Sequence, residues 1–161
     1  MGKAVLTFFC GKMGAGKSTK ARQIARDTNA VLLAEDEWLA SLYPNQISSV
    51  ADYISYSNLL KPQIKQLVQS ILVAGTDVVM DFPANTLSQR AWFKTIFSEI
   101  EARHNLIYID ATNALCLEQI GKRRLAQPNR AATDTPAMFE QMTKHFMEPA
   151  LEEGFNVTRL T

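Results

Sequence analysis

Residues 11–18 read Gly-Lys-Met-Gly-Ala-Gly-Lys-Ser, a complete G-x-x-x-x-G-K-[ST] pattern. The chemistry of that spacing is the holding of a phosphate chain. Glycines let the segment fold back, so that successive backbone N–H groups point at one set of phosphate oxygens. Lys17 is then expected to reach the β- and γ-phosphates, and Ser18 to place its hydroxyl on Mg²⁺. A helix starting there adds the partial positive charge of its N-terminus. The bland alternative is a chance glycine-rich turn. Its setting argues otherwise, because an apolar run (Ala4–Cys10) precedes it and a helical pattern (Ala21, Ile24, Ala25, Thr28) follows.

Acidic residues follow three further apolar runs: Glu35-Asp36-Glu37, Asp81 and Asp110. In an open parallel sheet the ligand lies beyond the carboxyl ends of the strands, where these acids would stand. Asp81, after Val78-Val79-Met80, fits a Mg²⁺ partner of Ser18, with a turn or cap acid as the alternative. Asp36 fits the carboxylate that orients an acceptor hydroxyl and takes its proton. Its alternative is a cap for the Trp38-Leu39 turn, and Glu35 and Glu37 leave the assignment open by one residue. Asp110 is expected to be a structural cap.

Four cations, Lys122, Arg123, Arg124 and Arg130, bracket Leu125-Ala126-Gln127-Pro128-Asn129. On a helix end running into a proline-containing loop they would suit a lid over residues 122–134, folding onto a triphosphate. Otherwise they complement a helix C-terminal dipole. Arg124 and Arg130 are the preferred phosphate contacts; helical phase does not separate Arg124 from Arg123. His104, expected at a helix end, and His145, expected within a helix, have no Ser, Cys or second His at catalytic spacing and read as structural or surface groups.

Positioning these groups requires strands alternating with helices. Apolar runs at 4–10, 30–34, 77–81, 106–110 and 155–160 alternate with helical stretches, which implies a parallel sheet covered on both faces. About forty residues separate the second and third runs. Ile54, Leu60, Ile64, Leu67, Val68, Ile71 and Leu72 form a stripe there, and Pro62 is expected to kink the helix or start a new one. Thr86-Leu87-Ser88-Gln89 reads as a capping box for a helix whose Trp92, Phe93, Ile96, Phe97 and Ile100 face the core. Thr135-Pro136 opens a last long helix carrying Met138, Phe139, Met142 and Phe146 inward.

The 161 residues fit one domain, and a 47% hydrophobic content can fill a core. The net charge of +1 argues against a nucleic-acid partner. Cys10 and Cys116 are too few for a disulfide framework, and no Cys/His spacing suggests zinc. The first apolar run is too short for a membrane span and no cleavage site follows it, so a soluble, cytoplasmic chain is expected.

The phosphate loop, Asp36, Asp81 and the late arginines, in this order, resemble the small P-loop kinases. The resemblance is greatest to the bacterial kinase group related to chloramphenicol phosphotransferase, zeta-toxin-type kinases and polynucleotide kinase domains. Gly11, Met13, Gly14, Ala15, Gly16, Lys17, Ser18 and Thr19 match the family's nucleotide-contacting loop. Leu33-Ala34-Glu35-Asp36-Glu37 resembles its strand-then-Asp motif, in which the Asp is the acceptor-activating base. Phe146-Met147-Glu148-Pro149 and Glu152-Glu153-Gly154-Phe155-Asn156-Val157 resemble its C-terminal signature.

The resemblance implies a five-stranded parallel P-loop NTPase sheet of order 2-3-1-4-5, ATP with Mg²⁺ as donor, and a hydroxyl acceptor. Polynucleotide kinases carry arginine three residues after the catalytic Asp, where this chain has Leu39. That departure favours a less charged small molecule, approached through Trp38 and Tyr43. Lys17, Asp36, Arg124 and Arg130 are then the expected catalytic groups, Arg123 a further nucleotide contact, and Ser18 and Asp81 the metal partners. The rival is an ATP-gated regulatory protein with at most slow hydrolysis. No Asn-Lys-x-Asp guanine-specificity motif occurs, which disfavours a GTPase. A helicase or assembly ATPase would need a further domain.

Overall fold

The computed structural model describes residues 4–130 and 133–161, without the side chain of Asn129. Its centre is β1 (Val5–Cys10), whose Leu6, Phe8, Phe9 and Cys10 are fully buried. A strand covered on both faces needs such an unbroken apolar run. It pairs in parallel with β3 (Val78–Pro83) on one side and β4 (Arg103–Ile109) on the other. β2 (Val31–Ala34) flanks β3 and β5 (Val157–Leu160) flanks β4, giving the expected order β2-β3-β1-β4-β5.

The strand limits shift for physical reasons. β3 runs on to Pro83 because the pairing slips between Phe8 and Phe9, which brings Phe9 opposite Pro83. β4 starts at Arg103, three residues before the apolar run, because Val5 at the start of β1 pairs with it. His104 therefore lies in β4 and not at a helix end. Its ring stacks on Phe97 at 3.9 Å, and Nε2 accepts a hydrogen bond from Asn156 N–H at 3.0 Å.

On one face, α3 (Val50–Val73) and α4 (Leu87–Ser98) cover Leu6, Phe8, Val78, Met80 and Leu106. α3 is a single helix through Pro62, so of the two expectations there, a kink or a new helix, the new helix is corrected. The missing N–H lies on the outer side, where Asn58 and Pro62 are both exposed and water can satisfy the freed carbonyl. Its buried row is Ser57, Leu60, Ile64, Val68 and Leu72, so Ile54 and Leu67 face outward. The aromatics of α4 are core as expected. Its cap differs in one bond: Thr86 Oγ1 accepts from Gln89 N–H at 3.1 Å, but Gln89 Oε1 accepts from Asn85 N–H at 2.8 Å.

On the other face, α1 (Lys17–Thr28) seats Ala21 and Ala25 against Phe9, Val79 and Ile107, while Thr28 points outward. A smaller cluster joins Cys116 and Ile120 of α5 (Asn113–Ala126) to Phe139 of α6 (Pro136–Thr143). α6 opens at the Thr135 cap but is only eight residues long. Phe146 therefore packs from beyond the helix, and His145 sits exposed in the turn after it. No helix among the described residues is long and apolar enough to cross a membrane.

Candidate active site

The phosphate loop links the C-terminal end of β1, in mid-sheet, to the first turn of α1. Gly14 and Gly16 take positive φ angles, 81° and 101°. Gly14 also meets α5 closely, since a Cβ there would stand 2.6 Å from the Cys116 carbonyl oxygen and 2.8 Å from Ile120 Cγ1. Met13 and Ala15 pack on the same Cys116–Ile120–Phe139 cluster, so α5 forms a wall of the loop. Gly11 N–H donates to Asn85 Oδ1 at 2.9 Å, which ties the loop's entry to the end of β3. Thr19 is exposed on α1.

Lys17 turns back over the loop, donating from Nζ to the carbonyl oxygens of Gly11 and of Lys12, the latter at 2.9 Å. Burial lowers its pKa, against the pull of Asp81. Ser18 Oγ donates to Asp81 Oδ2 at 2.6 Å, joining the two expected metal partners from α1 and β3. Burial pushes the Asp81 carboxyl up, while the Ser18 bond and the Lys17 charge hold it down. A hydroxyl and a carboxylate converging beside a half-buried ammonium form an oxygen donor set that fits Mg²⁺.

The three acids after β2 separate by burial. They open α2 (Glu35–Leu42), whose N-cap Ala34 has no side-chain cap. Glu35 is 3% exposed and accepts hydrogen bonds from Tyr53 Oη and, at 2.7 Å, from Ser57 Oγ. Burial raises its pKa, against those two bonds. The Asp36 side chain is 63% exposed and lies 3.7 Å from Arg130 Nη2. Glu37 is exposed, and Leu39 is buried in the main core. Trp38 and Tyr43 both pack partly buried on that core, Tyr43 with its ring 4.5 Å from Tyr56.

The basic segment spans the last turn of α5 and a short 3₁₀ turn, Pro128–Arg130. Arg123 and Arg130 both bond Asp134, a buried carboxylate with no signal in the sequence beyond its place before the Thr135 cap. Arg124 is exposed and makes no ion pair among the described residues. Residues 131 and 132 of the expected lid lie outside the described residues. Asp110 is not a cap: it pairs with Arg159 of β5, while Thr112 caps α5, accepting from Leu115 N–H at 3.2 Å. Cys10 is inert core, its thiol pushed up to about 11 by burial.

A family model described as an AAA domain matches residues 6–149. The chain belongs to the AAA domain family. Solved structures, two of them of kinases, share the fold of this chain. A putative kinase from Chloroflexus aurantiacus matches with a TM-score of 0.74 and 18% identity, over 99% of this chain and 86% of its own. Kti12 from Chaetomium thermophilum, in complex with ADP-AlF3, gives 0.69 and 16% over 97% and 88%. A gluconokinase from Sinorhizobium meliloti gives 0.63 and 13% over 99% and 84%. At these identities the likeness is one of fold, the five-stranded parallel P-loop NTPase sheet expected from the sequence. No curated protein matches the chain by sequence.

Proposed function

We propose that the protein is an ATP-dependent phosphotransferase that moves the γ-phosphate to a hydroxyl of a small molecule. The observation that carries this reading is the state of Asp36. Among the described residues it bonds no helix N-terminus, and its ion-pair partner is Arg130, on the segment read as a lid. An acid placed merely to cap α2 would bond the backbone N–H groups of its first turn.

Lys17 exchanges its two loop carbonyls for phosphate oxygens, and loop N–H groups other than those of Gly11 and Ala15, which bond Asn85 and Lys12, complete the cradle. Ser18 and Asp81 hold Mg²⁺, which when bound neutralises charge on the phosphate oxygens. Asp36 orients the acceptor hydroxyl and takes its proton, and Arg123, Arg124 and Arg130 stabilise the negative charge of the transferring group. The buried Leu39 puts no cation beside Asp36 on its own helix, in keeping with an acceptor of low charge.

The test is a metabolite-pool screen with labelled ATP, comparing wild type with Asp36→Asn. Asparagine keeps the size of the side chain and removes the proton acceptor. Turnover on the acceptor found is expected to fall roughly 10²–10⁴-fold with ATP affinity little altered. Equal turnover rules Asp36 out as the base. A wild type that binds ATP and phosphorylates nothing in the pool supports the regulatory reading instead.

A further inference from the structure

Four charged side chains converge at the edge of the phosphate loop, and one of them has no role in the chemistry above. Asp134 is 1% exposed. Arg123 grips it as a fork, Nε to Oδ2 at 2.7 Å and Nη2 to Oδ1 at 2.8 Å. Arg130 donates from Nε to the same Oδ2 at 2.9 Å, and Asp134 N–H returns a bond of 2.7 Å to the Arg130 carbonyl. Burial works against the charge of this carboxylate, and the two guanidinium groups overcome it, holding its pKa below the usual range.

The two arginines lead to opposite sides of the site. Arg123 lies one turn past Ile120, on the α5 face that seats against Gly14, and its charge bears on Lys17. Arg130 reaches Asp36 with Nη2. A single buried carboxylate thus anchors one cation on the phosphate side and one on the acceptor side. Asp36 faces the second cation across 3.7 Å, while each guanidinium stays about a quarter exposed, at 28% and 24%.

We propose that Asp134 is a positioning residue, which holds Arg123 and Arg130 in the places where charge develops during phosphoryl transfer. The proposal rests on the phosphotransferase reading. Long arginine side chains lose much rotamer freedom when they close on a ligand. Here Nε of both is fixed by Asp134 in the ligand-free protein, so that ordering is complete before the transferring group arrives.

The test measures affinity for Mg·ADP, alone and with aluminium fluoride as a stand-in for the transferring phosphoryl group. The proteins are wild type, Asp134→Asn, the Arg123→Gln/Arg130→Gln double variant and the triple variant. Wild type should gain affinity when fluoride is present. Asp134→Asn should lose roughly ten- to a hundredfold of that gain while Mg·ADP alone shifts less than about threefold. The triple variant should match the double, because Asp134 acts only through the arginines. A gain that survives Asp134→Asn, a variant that binds more tightly than wild type, or a triple worse than the double overturns the proposal alone. A wild type without any fluoride gain removes the phosphotransferase reading, and this proposal with it.

Should Asp134→Asn not fold, nitrogen NMR of the wild type decides. The Nε–H resonances of Arg123 and Arg130 should remain protected from exchange in the Mg·ADP·aluminium fluoride complex. Release of either one overturns the proposal.

Discussion

Arg90, fully buried on α4, donates from Nε and Nη2 to the two carboxylate oxygens of Glu153, at 2.7 and 3.2 Å. Its Nη1 donates to the carbonyl oxygens of Ala84 and Met147 at 2.9 and 2.8 Å. One side chain therefore fastens the end of β3 to the segment that leads into β5. Glu153→Ala would leave that guanidinium buried without a counter-charge, at a cost of about 3–5 kcal/mol. Urea unfolding measures it. The Arg90 bond overcomes burial and holds the Glu153 carboxyl below its ordinary value near 4.5. Its stabilising contribution is thus complete above that value and lost as pH falls through the lower folded one. Glu153→Gln should accordingly flatten the acid limb of the stability curve.

Lys17→Ala removes a charge-assisted contact to phosphate worth about 1.5–3 kcal/mol, or roughly ten- to a hundredfold in ATP affinity. Calorimetric titration of Mg·ATP into both proteins reads it directly. Equal affinity would mean that the nucleotide sits elsewhere.

Gly14 and Gly16 separate two costs of adding a methyl group. Both hold positive φ, so alanine strains either by about 1–3 kcal/mol. Only at Gly14 does the new Cβ also collide, at 2.6 Å from the backbone of α5, whereas nothing lies within 4 Å at Gly16. Gly14→Ala should therefore lose more thermal stability than Gly16→Ala. Equal melting temperatures would show that α5 yields freely.

Glu35 gives a pH signature of opposite sign to Glu153. Burial raises its pKa above the ordinary 4.5, so the folded chain favours the protonated carboxyl. That contribution is complete below pH 4.5 and fades as pH rises through the folded value. The stability of Glu35→Gln relative to wild type should climb through that window, by up to about 1.4 kcal/mol per pH unit. A constant difference between the two chemical unfolding curves across pH would contradict it.

The loop and the strands were legible because each depends on contiguous residues, a glycine pattern or an apolar run bounded by turns, whereas the sheet order came only with the resemblance to the small P-loop kinases. Ser18 and Asp81 could be paired from sequence, because each sits one step past a readable strand or loop. The roles of Glu35 and Asp36 could not be separated there. Only the packing of α3, which sets Tyr53 and Ser57 against Glu35, tells the buried acid from the exposed one. Asp134 and Asn85 were missed for the same reason. Arg123 and Gly11, which they hold at the site, lie 11 and 74 residues away, and each stands beside a cap threonine that accounts for a polar residue by itself. The start of β4 at Arg103 escaped because its first three residues are polar and take their place from pairing alone.

The central position of β1 has a consequence for the order of events during synthesis. Leu6 is made well before its neighbours across the sheet, Val78 and His104. The loop that follows is braced still later, when Asn85 reaches Gly11 and Cys116 and Ile120 close against Gly14. Until the chain has been made through Ile120, the phosphate cradle has no wall to lean on. Nucleotide therefore cannot template the nascent chain; it can only reward a sheet that has already assembled across its longest loops.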